Sequence, residues 1–416
     1  MELTIHKGSS KIGGTCLEIS TPSARIIFDI GDDLPDIKKK KKRSGISDNL
    51  LIDFSGLDKK KIDALFISHI HGEQLGLIEK LESSTPIYMG RYAYNVWSLM
   101  QDFTDRARIS NPIRFISSQE PVTIKDLTIT PFIIEHSAFD AYAFLIEWNG
   151  EKIFYTGDFR AHGFAGKYAQ IFQKNLKLQD IDRLIIEGVD LYEGNSLSES
   201  EEDFREKAEN IIKTNEGNVF ILQSAANISR IRSLYEATRL AEKTLVVDMF
   251  TAHILKNSPK SIPNPFTYEG IKLFLPKSLP EEIIKEKPHL FYPYAKYRLS
   301  PEALSQGTDM VILIRDTINY DIVKEFKKDN AHLLYLNWER YKTEEETSRL
   351  LSYFNGNVTE FTTARHANIS IIKDYIDTLK PKNIIPIHTE TLEKYIEYFD
   401  ELAAIESDNK LFTIEY

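Results

Sequence analysis

The sequence predicts a layered α/β protein of two domains, one inserted within the other. Three observations predict it. Roughly the first 190 residues read as short apolar strands, each giving way to a loop, a helix or a hairpin. Near Glu193 the pattern changes, and a strand–helix–strand unit typical of parallel sheets follows. From Asn357 the earlier style returns. The expected division is a first domain in two parts, 1–195 and 346–416, with an insertion over 196–345.

Within the first part, Arg25–Ile30, Ala64–Ser68, Leu127–Ile134, Tyr142–Trp148 and Lys152–Tyr155 are alternating or continuous apolar runs that predict strands. Asn149-Gly150 falls between two of them and marks a hairpin, because both residues tolerate positive φ. Leu75–Leu81 predicts a helix after a loop. The insertion opens on a Ser- and Glu-rich helix, Ser196–Glu209, with Ser198 or Ser200 as its cap. Asn218–Gln223, Ile228–Glu242 and Thr244–Asp248 predict strand, helix and strand. The run 257–301 carries Pro259, Pro263, Pro265, Pro276, Pro280, Pro288, Pro293 and Pro301, and predicts loops. Met310–Arg315 and Leu333–Leu336 predict buried strands. A loop at Thr362–Ala367, a helix at Ile369–Leu379 and a strand at Asn383–Ile387 complete the chain.

Composition narrows the function. With 42% hydrophobic and 27% charged residues, the chain is an ordinary globular protein, and no apolar run is long enough to span a membrane. No secretory signal is evident, and Cys16 is the only cysteine, so an internal disulfide and a thiolate-rich zinc site are excluded; a cytoplasmic location is expected. The net charge of −10 argues mildly against non-specific nucleic-acid binding. Two basic runs, Lys38 to Arg43 and Lys59 to Lys61, are either solvated loops or a polyanion track.

Five side chains sit where a buried strand gives way to a loop, the position from which α/β proteins build sites. His69 and His71 follow the strand in Leu65-Phe-Ile-Ser-His-Ile-His-Gly-Glu73. Residues i and i+2 of an extended segment point the same way, so both imidazoles can reach one ion, with Glu73 next on that alternation. His136, Asp158 and His388 end three further strands. His162 could line the same cleft or be a plain loop residue, while His6, His253, His289 and His332 have no ligand-like neighbours and read as structural.

These residues resemble the metallo-β-lactamase-fold hydrolases, in the branch with an inserted β-CASP domain to which RNase J belongs. Phe28-Asp29-Ile30-Gly31 is similar to the opening motif, and His69-Ile-His-Gly-Glu-Gln74 to the signature His-x-His-x-Asp-His. His136 and Asp158 resemble the third and fourth motifs. Glu187, His366 and His388 resemble the three motifs of the branch, and Gln223-Ser-Ala-Ala-Asn-Ile-Ser-Arg-Ile-Arg232 its phosphate-facing loop. The resemblance implies an αββα sandwich with a β-CASP-type α/β insertion. It implies one zinc on His69, His71 and His136, Asp158 bridging to a second ion on Glu73 and His388, and activation of a water for in-line attack on phosphorus. Manganese or magnesium could replace zinc. His366 would touch the scissile phosphate, Glu187 would orient a histidine, and Ser224, Asn227 and Arg230 would face the nucleic-acid backbone, with helix capping or a surface role the alternative for Asn227 and Arg230.

Departures stand beside the matches. Glu73 and Gln74 replace Asp and His, which weakens the second ion's site, and Arg365 stands where relatives carry Gly. Three functions remain open: a nuclease for RNA or single-stranded DNA, a weakly active or inactive relative that binds nucleic acid or a partner, and a hydrolase of small phosphoesters. The sequence sets no oligomeric state, a homodimer being one option.

Overall fold

A computed structural model describes residues 1–34, 61–103, 108–163, 180–189, 199–275, 281–315, 320–337, 339–361, 366–399 and 410–412. The basic runs up to Lys60, Ser196, Ser198 and Arg365 lie outside the described residues. The chain divides into two compact units, Met1–Leu197 with Ala364–Tyr416, and Ser198–Thr363.

In the first unit, strands β1 (Glu2–Lys7), β2 (Cys16–Ser20), β3 (Arg25–Phe28), β4 (Ala64–Phe66), β5 (Ile87–Gly90) and β6 (Ile113–Ile116) lie side by side in chain order. Strands β7 (Val122–Ile124), β8 (Leu127–Ile134), β9 (Ala141–Trp148), β10 (Glu151–Tyr155) and β11 (Arg183–Glu187) form a second sheet. The C-terminal part of the chain adds one strand to the free edge of each. Asn383–Ile387 pairs in parallel with β11, and Lys410–Phe412 pairs antiparallel with β1.

The two sheets share one core. Leu3, Ile5, Leu17, Ile19, Ile26, Phe28 and Phe66 of the first pack with Ile129, Phe144, Ile146, Tyr155, Ile185 and Ile387 of the second. Ile27 and Leu65 alternate to the other face of the first sheet and are also fully buried, so that face is covered too. On the far side of the second sheet, Phe132, Leu145 and Phe154 pack on Ile372, Tyr375 and Ile376 of the helix Ile369–Leu379. Two sheets packed face to face, with a helix on the outer face of the second, make a layered α/β sandwich. Among the described residues, no helix is long and apolar enough to cross a membrane.

Local chemistry explains most of the elements. Asn149 and Gly150 take φ of 48° and 89° and join β9 to β10 in register, Trp148 opposite Glu151. The helix expected over Leu75–Leu81 is instead one turn, Gly72–Leu75, followed by a 3-10 turn, Ile78–Lys80. Tertiary hydrogen bonds take its backbone. Amides of Thr15, Ile30 and Asp32 bond the carbonyls of Glu73, Gln74 and Gly72, and the Leu77 amide turns to Ile30.

The second unit carries β12 (Val219–Leu222), β13 (Thr244–Asp248), β14 (Ile271–Phe274), β15 (Met310–Ile314), β16 (His332–Tyr335) and β17 (Val358–Glu360), numbered ahead of β18 (Asn383–Ile387) and β19 (Lys410–Phe412). All pairings are parallel, in the order β14-β13-β15-β12-β16-β17. The near-continuous apolar runs of β12 and β15 suit strands buried on both faces. Ser200 is the cap of the first helix, Glu201–Thr214, in a reciprocal capping box with Asp203.

Two expectations change here. The proline-rich run 257–301 holds β14 and several short helices, because Pro288 and Pro301 sit in the first helical turn, where a missing amide costs nothing. The boundary expected at 345/346 falls inside the second unit. Leu350 and Phe354 belong to its core, and β17 pairs with β16, so the chain leaves it only after Thr363.

One buried ion cluster braces the first sheet. Glu18 on β2 takes Arg25 Nε at 2.9 Å and His6 Nε2 at 2.8 Å. Burial alone would raise the Glu18 pKa, but hydrogen bonds from His6 and Arg25 and the Arg25 charge hold it at about 2, against an ordinary 4.5. A folded-state pKa below the unfolded one stabilises the fold above pH 4.5, and that contribution is lost as pH falls towards 2. Glu18→Gln should therefore cost about 3 kcal/mol at neutral pH. Urea unfolding should show its deficit shrinking below pH 4.5. A deficit that is constant with pH would assign the loss to packing.

Candidate metal centre

The centre is built at the C-terminal ends of β4, β8, β10, β11 and β18. Asp29, just past β3 with φ of 56°, is the anchor for the first histidine. Its carboxylate accepts the Ser68 amide and hydroxyl, each at 2.7 Å, and the Tyr155 hydroxyl. Ser68 Oγ spends its only proton on Asp29, so its 3.1 Å contact with His69 Nδ1 must be donated by the ring. That fixes the His69 proton on Nδ1 and leaves the Nε2 lone pair facing the site. Gly31 is needed nearby because a Cβ there would lie 1.7 Å from the Glu73 carbonyl oxygen.

His71, in extended backbone two residues on, and His136, past β8, complete a cluster. The three ring centroids lie 4.5, 4.8 and 5.0 Å apart, and His71 Nδ1 is 3.3 Å from His136 Nε2. The expected i, i+2 convergence therefore holds, and His136 joins it as the third imidazole. Asp158 is buried, its Oδ2 lying 3.6 Å from His69 Nε2, 3.5 Å from His388 Nε2 and 3.1 Å from Gln74 Nε2. Glu187 accepts the Phe159 amide at 2.7 Å through Oε1 and faces His366 Nδ1 at 2.8 Å through Oε2.

Ligand atoms within 4.8 Å of one another fall into two groups, His69 with His71 and His136, and Asp158 with His366 and His388. Glu73, expected as a ligand of the second ion, belongs to neither. It sits in the short turn beside His71, its Oε1 3.8 Å from Nδ1, with a fifth of its side chain exposed. His162 is half-buried and joins neither group. His6, His253 and His332 bond to Glu18, the Leu290 carbonyl, and Asn357 with Thr359, as structural residues do.

Electrostatics favour the neutral, ligating form of three histidines and hold a proton on the neighbouring carboxyl. Burial, followed by the neighbouring histidines, pushes His69, His136 and His388 well below the ordinary imidazole range. Burial and the Glu187 charge push Asp158 well above the carboxylate range, against the pull of His366. Asp29 is raised to about 7, burial outweighing its hydrogen bonds from Tyr155 and Ser68. His69 Nε2 is buried without a hydrogen-bond partner among the described residues. Three imidazoles and a carboxylate are a donor set for zinc, and a cation would supply the partner that this nitrogen lacks.

Two supports had no role in the sequence reading. One is the Asp29–Ser68–Tyr155 anchor; an Asp at a strand end in Phe28-Asp-Ile-Gly31 and a hydroxyl directly before His69 were its visible signals. The other is Arg160, buried against Glu135, with Nε and Nη2 at 3.2 and 2.9 Å from Oε1 and its amide on the Glu135 carbonyl. This pair ties the loop after Asp158 to the residue preceding His136.

In the second unit, the residues expected on nucleic acid have other partners. Arg230 is fully buried, its Nε 3.1 Å from Glu201 Oε1 and its guanidinium 3.8 Å above the Phe204 ring. It is a core ion pair and offers no charge to a phosphate. The Asn227 side chain caps the helix Ile228–Leu240 by accepting the Arg230 amide. Ser224 Oγ accepts the Ala226 amide in the preceding turn.

No protein-family model matches the chain. Ribonuclease J 2 of Streptococcus pyogenes serotype M3 is 22% identical over 204 residues, 47% of this chain and 36% of that protein. The match thus spans little more than a third of that relative's length. A crystal structure of a protein of unknown function from Enterococcus faecalis V583 superposes with a TM-score of 0.78 over 99% of both chains, at 18% identity. The metallo-β-lactamase fold protein YhfI from Bacillus subtilis gives a TM-score of 0.32 at 16% identity, over 45% of this chain and 70% of that one. The superposition with the Enterococcus protein shows a shared fold, and the ribonuclease J likeness is confined to less than half of this chain.

Proposed function

We propose that this chain is a metal-dependent phosphodiester hydrolase, a nuclease for RNA or single-stranded DNA, with zinc on His69, His71, His136 and Asp158. The observation that carries it is the convergence of three imidazoles on one point beside a buried carboxylate. Zinc held there would polarise a phosphoryl oxygen and lower the pKa of an attacking water. Manganese or magnesium are the other ions to test.

The remaining roles belong to the chain's own side chains. Asp158 orients by carboxylate charge what the histidines hold. Glu187 faces His366 Nδ1 and would orient the ring, and His366 would meet a phosphate as a hydrogen-bond or proton donor. The likeness to a ribonuclease J favours a nucleic-acid substrate and a β-CASP character for the second unit. A single, buried cysteine agrees with a cytoplasmic setting. A weakly active or inactive binding relative is the second reading, favoured by the Gln74 amide on Asp158.

Protein purified without added metal should carry about one zinc per chain, as a three-histidine site implies. It should cleave an RNA or single-stranded DNA oligonucleotide, lose that activity to a chelator and regain it with zinc. No bound metal, or cleavage indifferent to the chelator, would refute the hydrolase reading. Bound zinc without cleavage of either nucleic acid or of a small phosphodiester would select the binding relative.

A further inference from the structure

We propose that the buried ion pair of Arg160 and Glu135 is a strut that sets the spacing of Asp158 and His136, and so shapes the zinc site without touching the ion. The inference rests on the zinc proposed at His69, His71, His136 and Asp158.

The sheet alone leaves that spacing loose. Its order is β18-β11-β10-β9-β8-β7, so β8 and β10, which lead into His136 and Asp158, are not neighbours. Both run antiparallel to β9 and end at the same edge, with Ile134 opposite Ala141 and Tyr155 opposite Phe144. Two strand spacings put their backbones roughly 9–10 Å apart, with no ladder hydrogen bond between them. His136 and Asp158 both lie beyond the last paired residues, where the ladder no longer fixes the chain. Arg160 closes the gap. Its amide donates to the Glu135 carbonyl at 2.8 Å, and its Nε and Nη2 donate to Glu135 Oε1 at 3.2 and 2.9 Å. Glu135 adjoins His136, and Arg160 follows Asp158 by two residues, so the link runs from one ligand loop to the other past the intervening strand.

Two features give the pair direction as well as packing. Arg160 and Glu135 are 1% and 3% exposed. Two charges taken out of water add little net stability over apolar side chains, whereas a planar guanidinium that grips one oxygen through two N–H groups fixes an orientation. Gly163 closes on the same carboxylate. A Cβ there would fall 1.8 Å from Glu135 Oε1 and 2.0 Å from Cδ, and Glu135 could yield only by leaving Arg160. Asp158 Oδ2 in turn lies 3.6 Å from His69 Nε2, and the His136 ring is centred 4.5 Å from that of His69. A shift of either loop therefore changes where the donors meet. Arg160 and Glu135 are positioning residues.

The test is the paired change Arg160→Met with Glu135→Leu, which removes both charges together and should melt close to wild type without metal. Zinc calorimetry on the full chain should show affinity lower by about 10–100-fold, as loss of an outer-shell contact does. With cobalt(II) in place of zinc, the visible absorption bands should shift, reporting altered ligand geometry. Gly163→Ala should weaken zinc in the same way, and Glu135→Gln, which keeps an oxygen for Arg160, should retain most of the affinity. Wild-type affinity and an unshifted cobalt spectrum in the paired variant would overturn the inference. So would a zinc loss matched in every variant by an equal loss of metal-free stability. If the paired variant does not fold, Gly163→Ala against Glu135→Gln decides by the same readouts. If the wild-type chain binds no zinc, the proposed function fails. Amide hydrogen exchange of the metal-free protein then judges the strut separately. Faster exchange confined to the loops after β8 and β10 in Gly163→Ala supports it, and unchanged exchange there overturns it.

Discussion

Asp158→Asn should lower phosphodiester hydrolysis by on the order of a thousandfold, about 4 kcal/mol of transition-state stabilisation. Asparagine keeps the shape and one acceptor, so the fold should survive. What it removes is the negative charge among His69, Gln74 and His388. The metal-free protein should behave in the opposite sense. Burial and the Glu187 charge raise the folded pKa of Asp158 above its unfolded value. The native state then binds more protons than the unfolded state, and raising the pH above the ordinary carboxylate range destabilises it. Without metal, the Asp158→Asn variant should be at least as stable as wild type at neutral pH, and its advantage should fade in acid. Zinc must displace the Asp158 proton, so wild-type affinity should rise with pH. Thermal melts with chelator at acidic and neutral pH, with zinc calorimetry, measure both. Undiminished hydrolysis by the variant would remove Asp158 from the mechanism.

Arg230→Ala should cost about 3–5 kcal/mol, the usual penalty for breaking a buried ion pair. The variant strands Glu201, whose Oε1 and Oε2 are held by Arg230 and whose Oε2 also accepts Ser233 Oγ, and it empties the space over Phe204. The paired change Arg230→Met with Glu201→Leu should recover much of the loss, because neither charge is then left unpaired. Denaturant unfolding of all three chains measures this. Zinc content should be unchanged, since every proposed ligand lies in the first unit. If Arg230→Ala left stability intact while abolishing nucleic-acid binding, the phosphate-facing role would be restored.

The elements that could be read from sequence were those whose signal is local. β8, β9, β10 and β13 carry strand-like apolar runs, and the Asn149-Gly150 turn requires positive φ wherever it occurs. His69, His71, His136, Asp158 and His388 were legible because each closes a buried strand, and strand ends on one side of a layered sheet converge in space. Glu73 lies outside both groups of ligand atoms for a reason invisible in one dimension. Its backbone is tied to Thr15, which holds the short turn so that the carboxylate stays beside His71.

Charge was the least readable property. Arg230 looks like a phosphate contact in the linear motif, and only the packing of Glu201 and Phe204 around it shows a core residue. The sequence by itself determined the α/β class, the insertion and the inventory of possible ligands, since these follow from periodicity and residue type. Tertiary structure decided which of these side chains meet and how each ring is held. Ser68 and Asp29 hold His69, and Gly13 holds His388 across 375 residues of chain. A hydrogen bond that long in sequence and 3.2 Å in space is set by the folded sheets alone.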